Sequence, residues 1–220
     1  AYNTLLVRDM AKALRHRGPD ASGEWVGEHA AFSHSRLSVI DPMGGAQPMK
    51  RKVGEYEFVI TYNGELYNTA ELRKDLINKG YELTSLSDTE VLLYAYIHYG
   101  EDCAKMLNGI YAFCIWDPMR QRVFICRDRF GVKPFFYAEC GDTLIFGSEI
   151  KALFRYPAMK AEIDSQGLCE IFALSPARTQ GVGVFKGIRE LRPAHFMSVT
   201  RGGIRVKSYW KPESKEHTDS

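Results

Sequence analysis

"ITYNGELYN", residues 60–68, allows two conformations that lead to different folds. Val59, Ile60 and Tyr62 read as the end of a buried strand, after which Asn63, Gly64, Glu65 and Tyr67 follow with no apolar run. Asn-Gly is the commonest pair in two-residue hairpin turns, and taken alone it favours that reading. A side-chain amide beside a glycine N–H is also a good donor pair for an oxyanion, because glycine lets a substrate approach the backbone. The sequel argues against the turn: "ELYNTAEL" starts a helix, so no return strand follows at hairpin distance.

The bulk numbers set the limits. The chain has 220 residues, 45% of them hydrophobic, enough for one large domain or two small ones. Its 29 basic and 27 acidic residues, net +2, argue against a dedicated nucleic-acid binder. No run of about 18 apolar residues exists to span a membrane. The start, "AYNTLLVRDM", lacks the basic and apolar regions of a signal peptide. Cys103, Cys114, Cys126, Cys140 and Cys169 are odd in number and show no CxxC spacing, which suggests a reduced cytoplasmic protein without zinc or disulfides.

Along the chain, Leu6, Met10 and Leu14 predict an amphipathic first helix stopped by Gly18-Pro19. Short extended segments run from Ala30 to Asp41, and "EYEFVITY" predicts a strand. Asn68 to Glu71 and Ser87 to Glu90 have capping-box spacing and open two helices, the first with Leu72, Leu76 and Ile77 on one side, the second ending at Gly100. "IYAFCIWD" with "RVFICRD", "PFFYAE" with "TLIFGS", and "HFMSVT" with "IRVKSYW" read as hairpins, the last turning at Arg201-Gly202-Gly203. "EIKALF" and "QGLCEIFAL" are helical. Residues 211–220 read as a polar linker or tail. Grouped helices and hairpin strands favour a layered α+β fold with largely antiparallel sheets.

Several polar residues are candidates for chemistry. In "HSRLSVID", Arg36 alternates with Leu37 and Val39; it is either a solvated strand residue or a fork for a substrate carboxylate. Asp88 reads as a first-turn acid favoured by the helix dipole, and Glu65 as an exposed loop acid. Convergence of the three would bind a zwitterion: Arg36 the carboxylate, Glu65 and Asp88 the ammonium. "RHRGPD" has a plain reading as a helix stop, "RDRFGVKP" as a charged loop, and Cys114 and Cys126 as inert packing.

"RHRGPD", "SRLSVID", "YNGELYN", "SDTEVLL", "RDRFGVKPFFY", "SEIKAL", "LRPAHF" and a closing "YW" occur in that order along residues 15–210. Together they resemble the N-terminal glutaminase domain, a class II glutamine amidotransferase, of glutamine-hydrolysing asparagine synthetases. The resemblance implies an N-terminal-nucleophile hydrolase fold over residues 1–210: a four-layer α-β-β-α sandwich of two stacked, largely antiparallel sheets. It implies glutamine as substrate, attacked by an N-terminal cysteine to form a glutamyl thioester. Asn63 and Gly64 match the oxyanion donors, Arg36 the α-carboxylate site, Glu65 and Asp88 the α-amine site, with backbone groups around Leu37 and Val39. No cofactor is implied for this domain. ATP and Mg²⁺ are expected in a downstream synthetase domain that amidates aspartate, and the resemblance leaves room for a homodimer.

Two departures bear on this. The sequence begins Ala1-Tyr2-Asn3, not with cysteine, so a short segment is expected ahead of Ala1, and the chain as it stands is expected to be inactive and to carry a strand-sized gap in one sheet. No Gly-rich phosphate loop is present; Gly202-Gly203 reads as a turn. The alternative is a catalytically silent domain of this fold that scaffolds a synthetase partner, as in β-lactam-synthetase-like enzymes. Retention of Arg36, Asn63, Gly64, Glu65 and Asp88 weighs against it.

Overall fold

The computed structural model describes residues 2–37, 45–174 and 176–214. Val39 and Asp41 lie outside them. The elements run α1 (Tyr2–Ala13), β1 (Ala21–Val26), β2 (Ala31–Arg36), β3 (Met49–Val53), β4 (Tyr56–Leu66), α2 (Thr69–Asn78), α3 (Asp88–Tyr99), α4 (Cys103–Met106), β5 (Gly109–Asp117) and β6 (Arg122–Arg127). After them come β7 (Phe136–Cys140), β8 (Thr143–Gly147), α5 (Ile150–Leu153), α6 (Ser165–Cys169), β9 (Ile188–Glu190), β10 (His195–Thr200) and β11 (Gly203–Ser208).

The six strands β11-β10-β6-β5-β4-β3 form one antiparallel sheet. Its central strands are apolar without alternation because both faces are covered. Ile60, Phe113, Ile115 and Phe124 pack under α2 and α3, with Leu76, Leu92 and Tyr96. Val59, Cys114, Trp116 and Ile125 face the other way, against Phe32 of β2 and Tyr137 of β7. That second layer consists of two separate sheets, β1-β2 and β8-β7-β9. α1 covers β1 and β2, and α5 covers β7 and β8. The order is therefore helix, sheet, sheet, helix, as expected, but the inner sheet is split in two.

The structure corrects several local expectations. Asn63 and Gly64 neither turn the chain nor end the strand: β4 continues to Leu66, and the two pair with Ala112 and Tyr111 of β5. Asn68 does not cap α2; its carboxamide donates to the Met106 carbonyl at 2.9 Å and accepts from the Asn108 N–H at 3.0 Å, tying down the loop before β5. The second capping box is half formed. Ser87 Oγ accepts from the Thr89 N–H, but Glu90 turns away to the backbone and hydroxyls of Thr84 and Ser85 and to Arg51. β1, β3, β9 and α4 were not apparent as separate elements.

"RDRFGVKP" is an organised loop rather than a merely charged one. The wholly buried Asp128 carboxylate accepts from the N–H groups of Phe130, Val132 and Lys133 at 3.0 Å each, and of Tyr111 at 3.3 Å. Beside it, buried Arg127 donates to the carbonyls of Gly131, Lys133 and Leu191. Removing the carboxylate strands these amide donors, each worth about 1–3 kcal/mol when left unpaired. Asp128→Ala is expected to cost about 3 kcal/mol or more in urea unfolding; a loss below about 1 kcal/mol would show that the loop does not depend on it.

Candidate functional site

A cleft of about 1000 Å³ opens between the two halves of the inner layer. Its floor is the central sheet at Thr61, Asn63, Ala112 and Cys114; β2 forms one wall, β8 the other, and α1 lies over it. Arg36, Leu37, Asn63, Gly64, Glu65 and Asp88 all line this cleft. Every described candidate is thus brought to one place, from β2, β4 and the start of α3.

Strand parity explains the orientation at β4. Tyr62 packs into the helix-side core, so Thr61 and Asn63 face the opposite way, into the cleft. The Asn63 carboxamide makes no hydrogen bond to any described residue. Gly64 has a different reason. A Cβ there would sit 2.3 Å from the Ile110 carbonyl oxygen and 2.7 Å from Tyr111 Cα, so β5 excludes any side chain.

The backbone groups of Tyr111 turn towards β6. Its carbonyl accepts from the Asp128 N–H at 2.8 Å, and its N–H donates to Asp128 Oδ2. In an antiparallel ladder this makes Tyr111–Gly64 a pair without mutual hydrogen bonds, and the Gly64 N–H points out on the β3 side. β3 ends opposite Ile60, too early to meet it. Two side chains fill the same edge around it. Gln47 Oε1 accepts from the Tyr62 N–H at 2.6 Å while its Nε2 donates to the Tyr62 carbonyl at 2.9 Å. Asp88 Oδ2 accepts from the Leu66 N–H at 3.2 Å. Gly64 lies between these two tied amides. Among the described residues, its N–H and the Asn63 carboxamide are two open donors side by side on β4.

Asp88 also accepts from the Tyr62 hydroxyl at 2.7 Å, and burial together with that carboxylate raises the phenol's pKa far above the usual range. The acid is thereby clamped at the N-terminus of α3. Glu65 is exposed at the cleft rim. "RHRGPD" fits tightly against β2: a Cβ on Gly18 would meet the Ser35 carbonyl oxygen at 2.3 Å, and the Asp20 N–H donates to the Arg36 carbonyl at 3.1 Å. Among the cysteines, Cys114 lies in the cleft floor, but burial pushes its thiol well up, which makes it a poor nucleophile. Cys126 is raised likewise.

Gln47, Thr61 and His34 were not singled out from the sequence. The alternation that drew attention to Arg36 places His34 on the same face, two residues earlier, and was the available signal. No pattern marks Gln47. His34 Nδ1 and Thr61 Oγ1 share a 3.1 Å hydrogen bond, and burial, with the Arg36 charge, lowers the imidazole pKa to about 4.

This makes stability depend on pH in a definite direction. An unfolded His34 takes up its proton near its ordinary 6.5, the folded one only near 4. The stabilisation is complete above 6.5 and is lost as pH falls through that window, by about 2 kcal/mol at pH 5. Glu90 and Glu149, each held down to about 2, titrate below it. Urea midpoints at pH 7.5 and 5.0 should differ for the native chain and much less for His34→Asn; equal pH dependence in the two would contradict the assignment.

A family profile described as "Glutamine amidotransferase domain" matches residues 2–210. The chain is 51% identical over 211 residues to asparagine synthetase [glutamine-hydrolyzing] 3 of Bacillus subtilis, covering 96% of this chain and 34% of that protein. It is 36% identical over 215 residues to asparagine synthetase [glutamine-hydrolyzing] 1 of the same organism, covering 96% and 33%. It thus spans about a third of the length of these relatives. Among solved structures, the glutamine phosphoribosylpyrophosphate amidotransferase of B. subtilis superposes with a TM-score of 0.70 at 18% identity, over 94% of this chain and 47% of that one. At that identity the likeness is one of fold, and the fold is the N-terminal-nucleophile sandwich.

Proposed function

The chain belongs to the glutamine amidotransferase domain family, and from that premise we propose that it is the glutamine-hydrolysing domain of a larger asparagine synthetase. The observation that carries this reading is the pair of open donors, the Asn63 carboxamide and the Gly64 N–H, in the cleft that Arg36 also lines. A silent scaffold has no physical need to leave both unpaired when neighbouring backbone groups are tied off.

In this reading glutamine lies along the cleft. Its α-carboxylate meets the Arg36 guanidinium, with the backbone at Leu37 beside it. Its α-ammonium lies towards Glu65 and Asp88. The side-chain amide reaches Asn63 and Gly64. The attacking group that the family resemblance implies is the thiol of a cysteine at the parent protein's mature N-terminus, with its own α-amine as base.

As sulfur bonds to the amide carbon, the carbonyl electron pair moves onto oxygen. That oxyanion accepts hydrogen bonds from Asn63 Nδ2 and the Gly64 N–H, which are oriented before the charge develops. The carbonyl then re-forms, the C–N bond breaks, and ammonia leaves with the proton taken from the thiol. Water attacks the thioester and releases glutamate. The ammonia serves amidation of aspartate in the remainder of the parent protein. ATP and Mg²⁺ would act there.

Asn63 should matter most in the tetrahedral transition state. In the full-length protein, Asn63→Ala is expected to lower kcat for glutamine hydrolysis by about 10²–10³, with a smaller effect on KM. Asparagine formation from added ammonium and the thermal midpoint should persist. Near-normal glutamine hydrolysis would remove Asn63 from the oxyanion site.

A further inference from the structure

The His34–Thr61 hydrogen bond has no part in the chemistry above, yet its position bears on it. His34 precedes Arg36 by two residues on β2, and Thr61 precedes Asn63 by two on β4. The period of two in strands puts each pair on one face. The bond therefore ties the strand carrying the carboxylate site to the strand carrying the oxyanion donors, one step of about 6–7 Å from both.

Near this bond the two layers meet through Phe32, Val59, Cys114 and Trp116. Apolar packing is non-directional and tolerates small slides. A hydrogen bond between two short side chains does not. His34 is braced from behind, since the Ser35 hydroxyl donates to the Ala11 carbonyl of α1 at 3.1 Å. Thr61 is held in the β4–β5 ladder opposite Cys114. The link joins two supported strands.

Glutamine has to satisfy both strands at once: its carboxylate on β2, its reacting amide on β4. Asparagine is shorter by one methylene. A hydrophobic pocket distinguishes one methylene by only about 10–200-fold. A fixed separation between two polar anchors adds a penalty, because the shorter substrate leaves one anchor unpaired.

We propose that His34, acting through Thr61, is a positioning residue that sets the spacing between the carboxylate-binding strand and the oxyanion strand, and so selects glutamine over asparagine. This rests on the roles given above to Arg36 and Asn63. Above about pH 5 the imidazole stays neutral, so the link holds over the physiological range.

The test is a double-mutant cycle in the full-length protein, with glutamine and asparagine as substrates. Small misplacements at a reacting centre cost about 10²-fold, so His34→Ala should lower kcat/KM for glutamine by that order and cut the glutamine-to-asparagine ratio about tenfold. Thr61→Val should do the same, and the double variant should be no worse than either single one, because both remove one bond. His34→Asn, which keeps a polar group in reach of Thr61, should recover most of the loss. Ammonium-driven synthesis should be unchanged throughout. Losses that multiply in the double variant, an unchanged glutamine-to-asparagine ratio, or a fall in both activities that only tracks the thermal midpoint would each overturn the proposal. Arg36→Ala and Asn63→Ala separate the two levels. If they spare hydrolysis, the reading of the site fails and this inference with it. If they abolish hydrolysis while the His34 and Thr61 variants behave as native, only the spacing role fails.

Discussion

β4 outruns its neighbour. β3 reaches only as far as Ile60, and β4 continues through Leu66 with the N–H groups of Tyr62, Gly64 and Leu66 on an edge that no strand among the described residues covers. Backbone groups in such a place need partners. Gln47 answers for Tyr62 and Asp88 for Leu66, both with side chains. Gly64 is left between them. It must be glycine because β5 passes too close for a Cβ, and its N–H stays open because Tyr111 is committed to Asp128. The same few residues that complete the sheet therefore create the donor pair, and Arg36 of β2 and Asp88 of α3 line the same cleft.

The inner layer needs a different device, since β1-β2 and β8-β7-β9 share no hydrogen-bonded ladder. Charged groups cross between their covering elements. Arg17 and His16, just after α1, and Lys151 of α5 all reach the Glu149 carboxylate, each at 3.0 Å. Burial alone would raise that acid's pKa; the hydrogen bonds hold it down to about 2. This knot, the packing of α1 on α5, and the His34–Thr61 bond hold the cleft walls at set distances while leaving the space between them open.

That Arg36, Asn63, Gly64, Glu65 and Asp88 are candidates was legible because each stands in a short local pattern, and the structure brings them to one cleft. Arg36, Asn63, Gly64, Glu65 and Asp88 stand in strings that carry both an element boundary and an unusual polar residue. The layered antiparallel architecture followed from apolar runs separated by turn residues. What escaped the sequence depends on distant partners. Met49–Val53 is a lysine- and arginine-bearing edge strand, and Ile188–Glu190 has three residues, so neither shows a strand's apolar period. The capping-box spacing at Asn68 was sound as a local pattern, but the loop at Met106–Asn108 competes for the same carboxamide. Asn-Gly misled as a turn signal for a similar reason. Its glycine answers to the approach of β5, roughly fifty residues further on, and its asparagine faces the cleft. Glu90 prefers five groups in three dimensions to one N–H in its own first turn.

The donor pair depends on the open amide of Gly64, and amide hydrogen exchange read by NMR on the ligand-free protein reports it residue by residue. Tyr62 and Leu66, whose N–H groups are taken by Gln47 and Asp88, should be protected, and Gly64 between them should exchange orders of magnitude faster. Protection of Gly64 equal to that of its two neighbours would mean that the edge is closed, and β4 would then hold no place for an oxyanion.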